Sequence, residues 1–183
     1  MNISTALLIV DMQKGMQHPS AGQRNNPQAE ANIAQLLTKW RKTGAPIVHI
    51  RHISRANNSA FAPGQSGVEF QDNLTPLSSE HVVEKNVPDA FINSSLEKWL
   101  RIRNINELVI VGVSTNISIE STARSAGNLG FQTIVVSDGT YTFDKVDFDG
   151  QLRAASVVHA MALANLEGEF ARIVQTKELL IES

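Results

Sequence analysis

The sequence predicts a doubly wound α/β sandwich, a three-layer fold built on a mostly parallel six-stranded sheet, and three observations predict it. Short apolar runs alternate along the chain with stretches whose apolar residues recur at helical spacing. Several of the runs are continuous rather than alternating, as strands covered on both faces require. Asp11, Lys85 and Ser118 follow such runs, toward the carboxyl ends where this fold class binds its ligands. A chain of 183 residues is the size of one domain, and a single domain over 1–183 is expected.

Ala6 to Val10 is the first buried strand, ended by Asp11. Residues 12 to 27 form a polar loop, and Pro27 opens a helix carrying Ile33, Leu36, Leu37 and Trp40, closed by Gly44. Pro46 to Ile50 is the second strand and delivers Arg51 and His52. Ser54 to Glu80 shows neither period; a loop of that length is functional or disordered, and Phe61 and Phe70 favour one folded over something.

His81 to Glu84 is a short third strand leading to Lys85. Asn93 to Arg103 is an amphipathic helix that Ser94 or Asn93 caps. Leu108 to Val111 is the fourth strand, broken at Gly112 and followed by a polar turn and a helix that stops at Gly130. Phe131 to Val136 is the fifth, ending at Ser137 to Gly139. A long helix from about Gly150 to Leu166 places Leu152, Ala155, Val158, Ala162 and Leu166 on one face. Ala171 to Gln175 is the last strand, and a tail helix runs from Thr176 to Ile181.

Composition narrows the chemistry. A net charge of −2 gives no electrostatic reason to expect nucleic acid. The absence of cysteine excludes a disulfide framework, a thiolate metal site and a thiol nucleophile. The N-terminal stretch has no basic region, and its apolar run is too short for a signal peptide or a membrane span, so a cytoplasmic protein without a membrane partner is expected.

The stretch from Glu107 to Gly130 carries the main signal. A strand, a small-residue turn and a helix start in succession present backbone N–H groups that stabilise an anion. With Asp11 and Lys85 converging on the same crevice, a carboxylate takes a proton, an ammonium holds negative charge and the Ser118 hydroxyl attacks, which is a workable acyl-transfer set. N–H groups around Ser114 and Ser118 supply the oxyanion hole. An aspartate after a strand also serves as a turn residue, and a serine in a first helical turn also serves as a cap.

ALLIVDMQKGM at 6–16, PIVHIRHIS at 46–54, VVEKNVPDAF at 82–91 and GVSTNISIESTARSAGNLGF at 112–131 resemble the isochorismatase-like hydrolases, also called the cysteine hydrolase superfamily, which includes nicotinamidases and related amidases. VVSDGTYTFD and VHAMALANLEGEFARIV extend the resemblance nearly end to end. It implies Asp11 as general base, Lys85 as the triad lysine, position 118 as nucleophile and a cis peptide between Val113 and Ser114. It also implies a homo-oligomer, dimer or tetramer, acting on a small-molecule substrate.

Position 118 departs from the family's amidases, which carry cysteine there; a serine hydroxyl is the poorer nucleophile because it is hardly ionised at neutral pH. Three readings stay open: a serine or an activated water attacks, the serine stands in place of a cysteine to trap substrate, or the chain binds a small molecule without hydrolysis. Isochorismatases keep the aspartate and lysine without the cysteine and cleave a vinyl ether.

No metal or other cofactor is expected. Nicotinamidases bind metal through an Asp-x-His pair near the end of strand two, where this chain reads His49, Ile50, Arg51, His52. The remaining histidines, His18, His81 and His159, form no cluster with a carboxylate in sequence. Arg51 is a candidate for a substrate carboxylate or carbonyl, or for a surface ion pair. Phe61, Phe91 and Phe143 are candidate pocket walls, and Met16 and His159 are weaker candidates.

Overall fold

The computed structural model describes residues 4–181; Met1 to Ile3, part of the stretch read for a leader, lie outside the described residues. Six strands form one parallel sheet: β1 (Thr5–Val10), β2 (Ile47–His52), β3 (His81–Lys85), β4 (Glu107–Val113), β5 (Gln132–Tyr141) and, after a two-stranded hairpin of β6 (Lys145–Val146) and β7 (Leu152–Arg153), β8 (Arg172–Val174). The order is β3-β2-β1-β4-β5-β8, so the chain reverses direction across the sheet between β1 and β4. That reversal opens a crevice at the carboxyl ends of the two strands, where doubly wound folds bind ligands.

Helices cover both faces. Alternate residues of the buried strands point to opposite layers, Ala6, Leu8 and Val10 of β1 to one core, Leu7 and Ile9 to the other. The first core is closed by α2 (Leu96–Ile102), α3 (Glu120–Asn128) and α4 (Ala155–Leu166), the second by α1 (Ala29–Thr43) and α5 (Thr176–Leu180). Gly44 ends α1 in a left-handed conformation, as its position after the last apolar residue predicts. None of the described helices is long and apolar enough to cross a membrane.

Gly112 fixes the sheet at its centre. It stands opposite Val10 at φ 124°, and a Cβ there would lie 2.1 Å from the Val10 carbonyl oxygen. Only glycine lets β1 and β4 approach this closely beside the crevice.

Two expected elements differ. The long helix placed from Gly150 begins at Ala155, because residues 145–153 fold into the β6–β7 hairpin, and Leu152 is exposed on it rather than on a helix face. Asp144 accepts the Ala155 N–H at 2.7 Å, and Gly150 turns the hairpin at φ 81°. The fifth strand does not end at Ser137: after an irregularity opposite Val111 it re-pairs, Thr140 with Gly112 and Tyr141 with Val113. The long loop of residues 54–80 is ordered by short 3-10 turns and by burial of Ala62, Gln71 and Leu74.

Candidate active site

Three elements aim three side chains into the crevice. Asp11 leaves β1 in a left-handed conformation at φ 54°, its N–H bonded to Ile50 O at 2.8 Å. Lys85 ends β3, two strands away, and its flexible stem spans the width of β2. Ser118 lies in a π turn, Thr115–Ile119, interposed between β4 and α3 rather than in the first turn of a regular helix.

Lys85 Nζ donates to Asp11 Oδ2 at 2.7 Å and to Ser118 Oγ at 3.4 Å, with all three residues buried. Burial pushes the Asp11 carboxyl above its ordinary value, while the adjacent ammonium and the Ser118 hydroxyl pull the other way. Asp11 Oδ1 is buried without a partner among the described residues, which leaves one carboxylate oxygen free to receive a proton.

The peptide between Val113 and Ser114 is cis. Ser114 precedes the π turn and accepts the N–H groups of Ile117 and Ile119 through its carbonyl, so the loop closes on itself immediately around Ser118. Thr115, fully buried, is bonded from its hydroxyl to His159 Nδ1 of α4 at 2.8 Å. His159 contacts Asn26, which donates to Ser137 O at 2.8 Å and Thr140 O at 2.6 Å. This chain ties the π turn to β5 and to the start of α1.

A second network was not anticipated from sequence. Gln13, fully buried, takes the His52 N–H on its Oε1 at 2.8 Å and donates to His52 O at 3.0 Å and Val68 O at 3.1 Å. It fastens the end of β2 to the long loop. His52 itself is half-buried and meets the edge of Phe61, and burial first and the Lys85 charge second hold its imidazole below the ordinary value. The only sequence signal was the placement of both residues near the carboxyl ends of strands.

The other candidates separate. Arg51 pairs with Glu84, its register partner on β3, through Nε at 2.9 Å, and lies over Phe70, so its fork is already occupied. Phe61 stands beside His52 and Gly15 near the crevice. Phe91 stacks on Phe131, which precedes the amino end of β5, and packs in the core under α2 and α3. Phe143 meets Tyr141 edge-on and pairs with Arg24 beside the α1 core, where Met16 also packs. His49 bonds Glu80 on the α1 face, away from Asp11. No group of three or more histidines and carboxylates able to hold a metal ion occurs among the described residues.

This arrangement brings a buried carboxylate, an ammonium and a hydroxyl within bonding distance at a strand-to-helix turn. Known proteins share the fold that carries it. The isochorismatase domain matches residues 5–178. A crystal structure of an isochorismatase-family protein from Chromobacterium violaceum superposes with a TM-score of 0.95 at 46% identity, over 98% of this chain and 93% of that one. YrdC of Bacillus subtilis, an uncharacterized isochorismatase family protein, is 37% identical over 96% of this chain and 94% of its own length. The ureidoacrylate amidohydrolase RutB of Methylobacterium radiotolerans is 30% identical over 72% of this chain and 46% of its own length. By the domain match and by these relatives, the chain belongs to the isochorismatase family of hydrolases.

Proposed function

We propose that the protein hydrolyses a C–N bond of a small, uncharged amide, with Asp11, Lys85 and Ser118 as its catalytic residues. The observation that carries this reading is the position of Lys85 Nζ, bonded at once to the Asp11 carboxylate and the Ser118 hydroxyl. Asp11 takes the Ser118 proton as Oγ attacks the carbonyl carbon, and Lys85 holds the carboxylate in place without competing for that proton. N–H groups of Ser114 and Ser118 receive the developing oxyanion. Collapse breaks the C–N bond as the amine takes the proton from Asp11, and water then cleaves the acyl-serine by the same steps. The amidohydrolase name of RutB supports C–N chemistry on this scaffold.

Charge favours a neutral substrate over the dicarboxylate isochorismate. Lys14 is paired with Glu69 and Asp72, Arg24 with Glu30, Arg51 with Glu84 and Lys85 with Asp11. Arg55, bonded to the neutral Asn86, is exposed at the rim. Arg55 could take one substrate carboxylate, and a second would have to compete with a carboxylate already paired to its cation.

Ammonia or amine release from a panel of small amides, measured for wild type, Asp11→Asn and Ser118→Cys, tests the reading. Turnover that disappears in Asp11→Asn supports it. Full activity in Asp11→Asn, or cleavage of isochorismate with no amide turned over by any form, would sink it. Tight ligand binding with no turnover by any form would establish a binding protein instead.

A further inference from the structure

We propose that Phe61 sets the length of substrate the crevice accepts: its ring, seated on Gly15, walls the catalytic groups off from a second, polar cavity. This inference rests on the reading of the crevice as an amide-hydrolysing site and names the dimension along which that site selects.

The ring stands between two walls. On one side its edge meets the His52 imidazole, with centroids 6.3 Å apart and planes at 78°. His52 lies close enough to Asp11 and Lys85 for both charges to act on its protonation. On the other side is Gly15, where a Cβ would stand 2.7 Å from Phe61 Cε1 and Cζ. Any side chain at position 15 would take the seat of the ring, and only glycine leaves it open.

The main chain holds the ring in that seat. The Phe61 carbonyl accepts the Ser54 N–H at 2.8 Å, and its own N–H donates to Ser59 Oγ at 3.1 Å. Gly67 closes the segment on itself, since a Cβ there would lie 2.3 Å from Ala60 O. Gln13 then ties the loop to the strands, bonding Val68 O and His52 O through one amide nitrogen. The residue that positions His52 therefore also positions the loop that carries Phe61.

Behind Gly15 lies a cavity of about 470 Å³, lined by Gly15 itself with Gln17, His18, Gln65 and Ser66 among others. Its lining is polar where the Phe61 wall is apolar. Lys14, which also lines it, is already paired with Glu69 and Asp72, so the cavity suits an uncharged, hydrogen-bonding chain better than an anion. With the phenyl ring in place a bound amide ends at the ring. Without it, crevice and cavity join, and amides with longer, polar-ended chains enter.

Alkylation of the Ser118→Cys variant measures this without requiring turnover, because the chain has no other thiol. Second-order rates are compared for iodoacetamide and for iodoacetamides N-substituted with hydroxyl-ended chains of increasing length. Adding Phe61→Ala should raise the ratio of long-reagent to short-reagent rates about tenfold or more. Phe61→Leu, which keeps most of the apolar bulk, should raise it less, and Gly15→Ala, whose methyl drives the ring toward His52, should lower it. A ratio unchanged in Phe61→Ala, or in Phe61→Leu and Gly15→Ala should the alanine variant lose its native circular dichroism, overturns the proposal. Amides of matching lengths separate the two readings: the same change of ratio should appear in kcat/KM. Absence of amide turnover in every form would end the amidase reading, while the alkylation ratios still decide for or against Phe61.

Discussion

Lys85 holds Asp11 from two strands away: Nζ reaches across the end of β2 to lie 2.7 Å from Oδ2, with both side chains removed from water. A pair buried this completely is costly to break from one side, because the remaining charge has no compensation. Lys85→Met should therefore cost about 3–5 kcal/mol at neutral pH. Asp11 already has a raised folded value, and losing its cation raises it further. A carboxyl with a raised folded value favours the native state at low pH and loses that contribution as pH rises through it. The deficit of Lys85→Met should accordingly narrow on acidification in urea titrations. A deficit that widens toward acid would mean that Asp11 stays ionised without Lys85.

The same shift sets an activity profile. Asp11 must be ionised to accept the Ser118 proton, and burial holds its carboxyl above the ordinary 3.8 despite Lys85. The acid limb of kcat/KM should therefore fall at a pH above that of a free aspartate. Asp11→Asn should lower kcat/KM by about 10²–10⁴-fold and abolish the limb. A limb at or below the free-carboxylate value would show that another group controls it.

Ser118 is buried and 3.4 Å from Lys85 Nζ, so a thiol at the same place gains a nearby cation to stabilise its thiolate. Ser118→Cys should raise amide turnover, and iodoacetamide should label it in an otherwise cysteine-free chain. Ser118→Ala should remove turnover with the unfolding midpoint little changed. Turnover retained in Ser118→Ala would move the attack to water.

Sequence made the centre of the sheet legible because its central strands are buried on both faces. Ala6 to Val10 and Leu108 to Val111 read as strands from composition alone, and their carboxyl ends placed Asp11 and the nucleophile turn in one crevice. What it hid follows from physics that is not periodic. The β6–β7 hairpin depends on Asp147 and Asp144 accepting N–H groups from residues after the turn, so a helix read from Gly150 was five residues too long. The Thr115 to His159 contact joins residues 44 apart and leaves no local pattern. Arg51 was legible as a cation at a strand end, but its pairing with Glu84 required the β2–β3 register.

Gly112 gives a test of the architecture beneath the site. A Cβ would stand 2.1 Å from Val10 O and 2.9 Å from Val10 C and N, all backbone atoms that have no rotamer to yield. Gly112→Ala should force β1 and β4 apart and cost upwards of about 3 kcal/mol, more than ordinary overpacking because φ is also positive. Gly22 offers the control: it too has positive φ, 96°, but no atom lies within 4 Å of its added Cβ. Gly22→Ala should cost only the backbone term, about 1–2 kcal/mol. Equal losses in the two variants would refute the close-contact account.

His159 links α4 to the turn that carries Ser118. Its imidazole is held below the ordinary 6.5 by burial, which outweighs the opposing bond to the Ser137 backbone. It is therefore neutral near pH 7, and with Nδ1 unprotonated it accepts the Thr115 hydroxyl proton there. A proton added to Nδ1 would face that hydroxyl donor and turn it away. A histidine with a depressed folded value contributes stability above its unfolded value and loses it as pH falls from 6.5 toward the folded value. Wild type should lose unfolding free energy over that window, and His159→Gln should lose less. If Thr115 positions the π turn, His159→Phe should lower kcat more than it raises KM, and His159→Gln, whose amide oxygen can still accept from Thr115, should recover most of kcat. Equal kcat in the phenylalanine and glutamine variants would confine His159 to core packing.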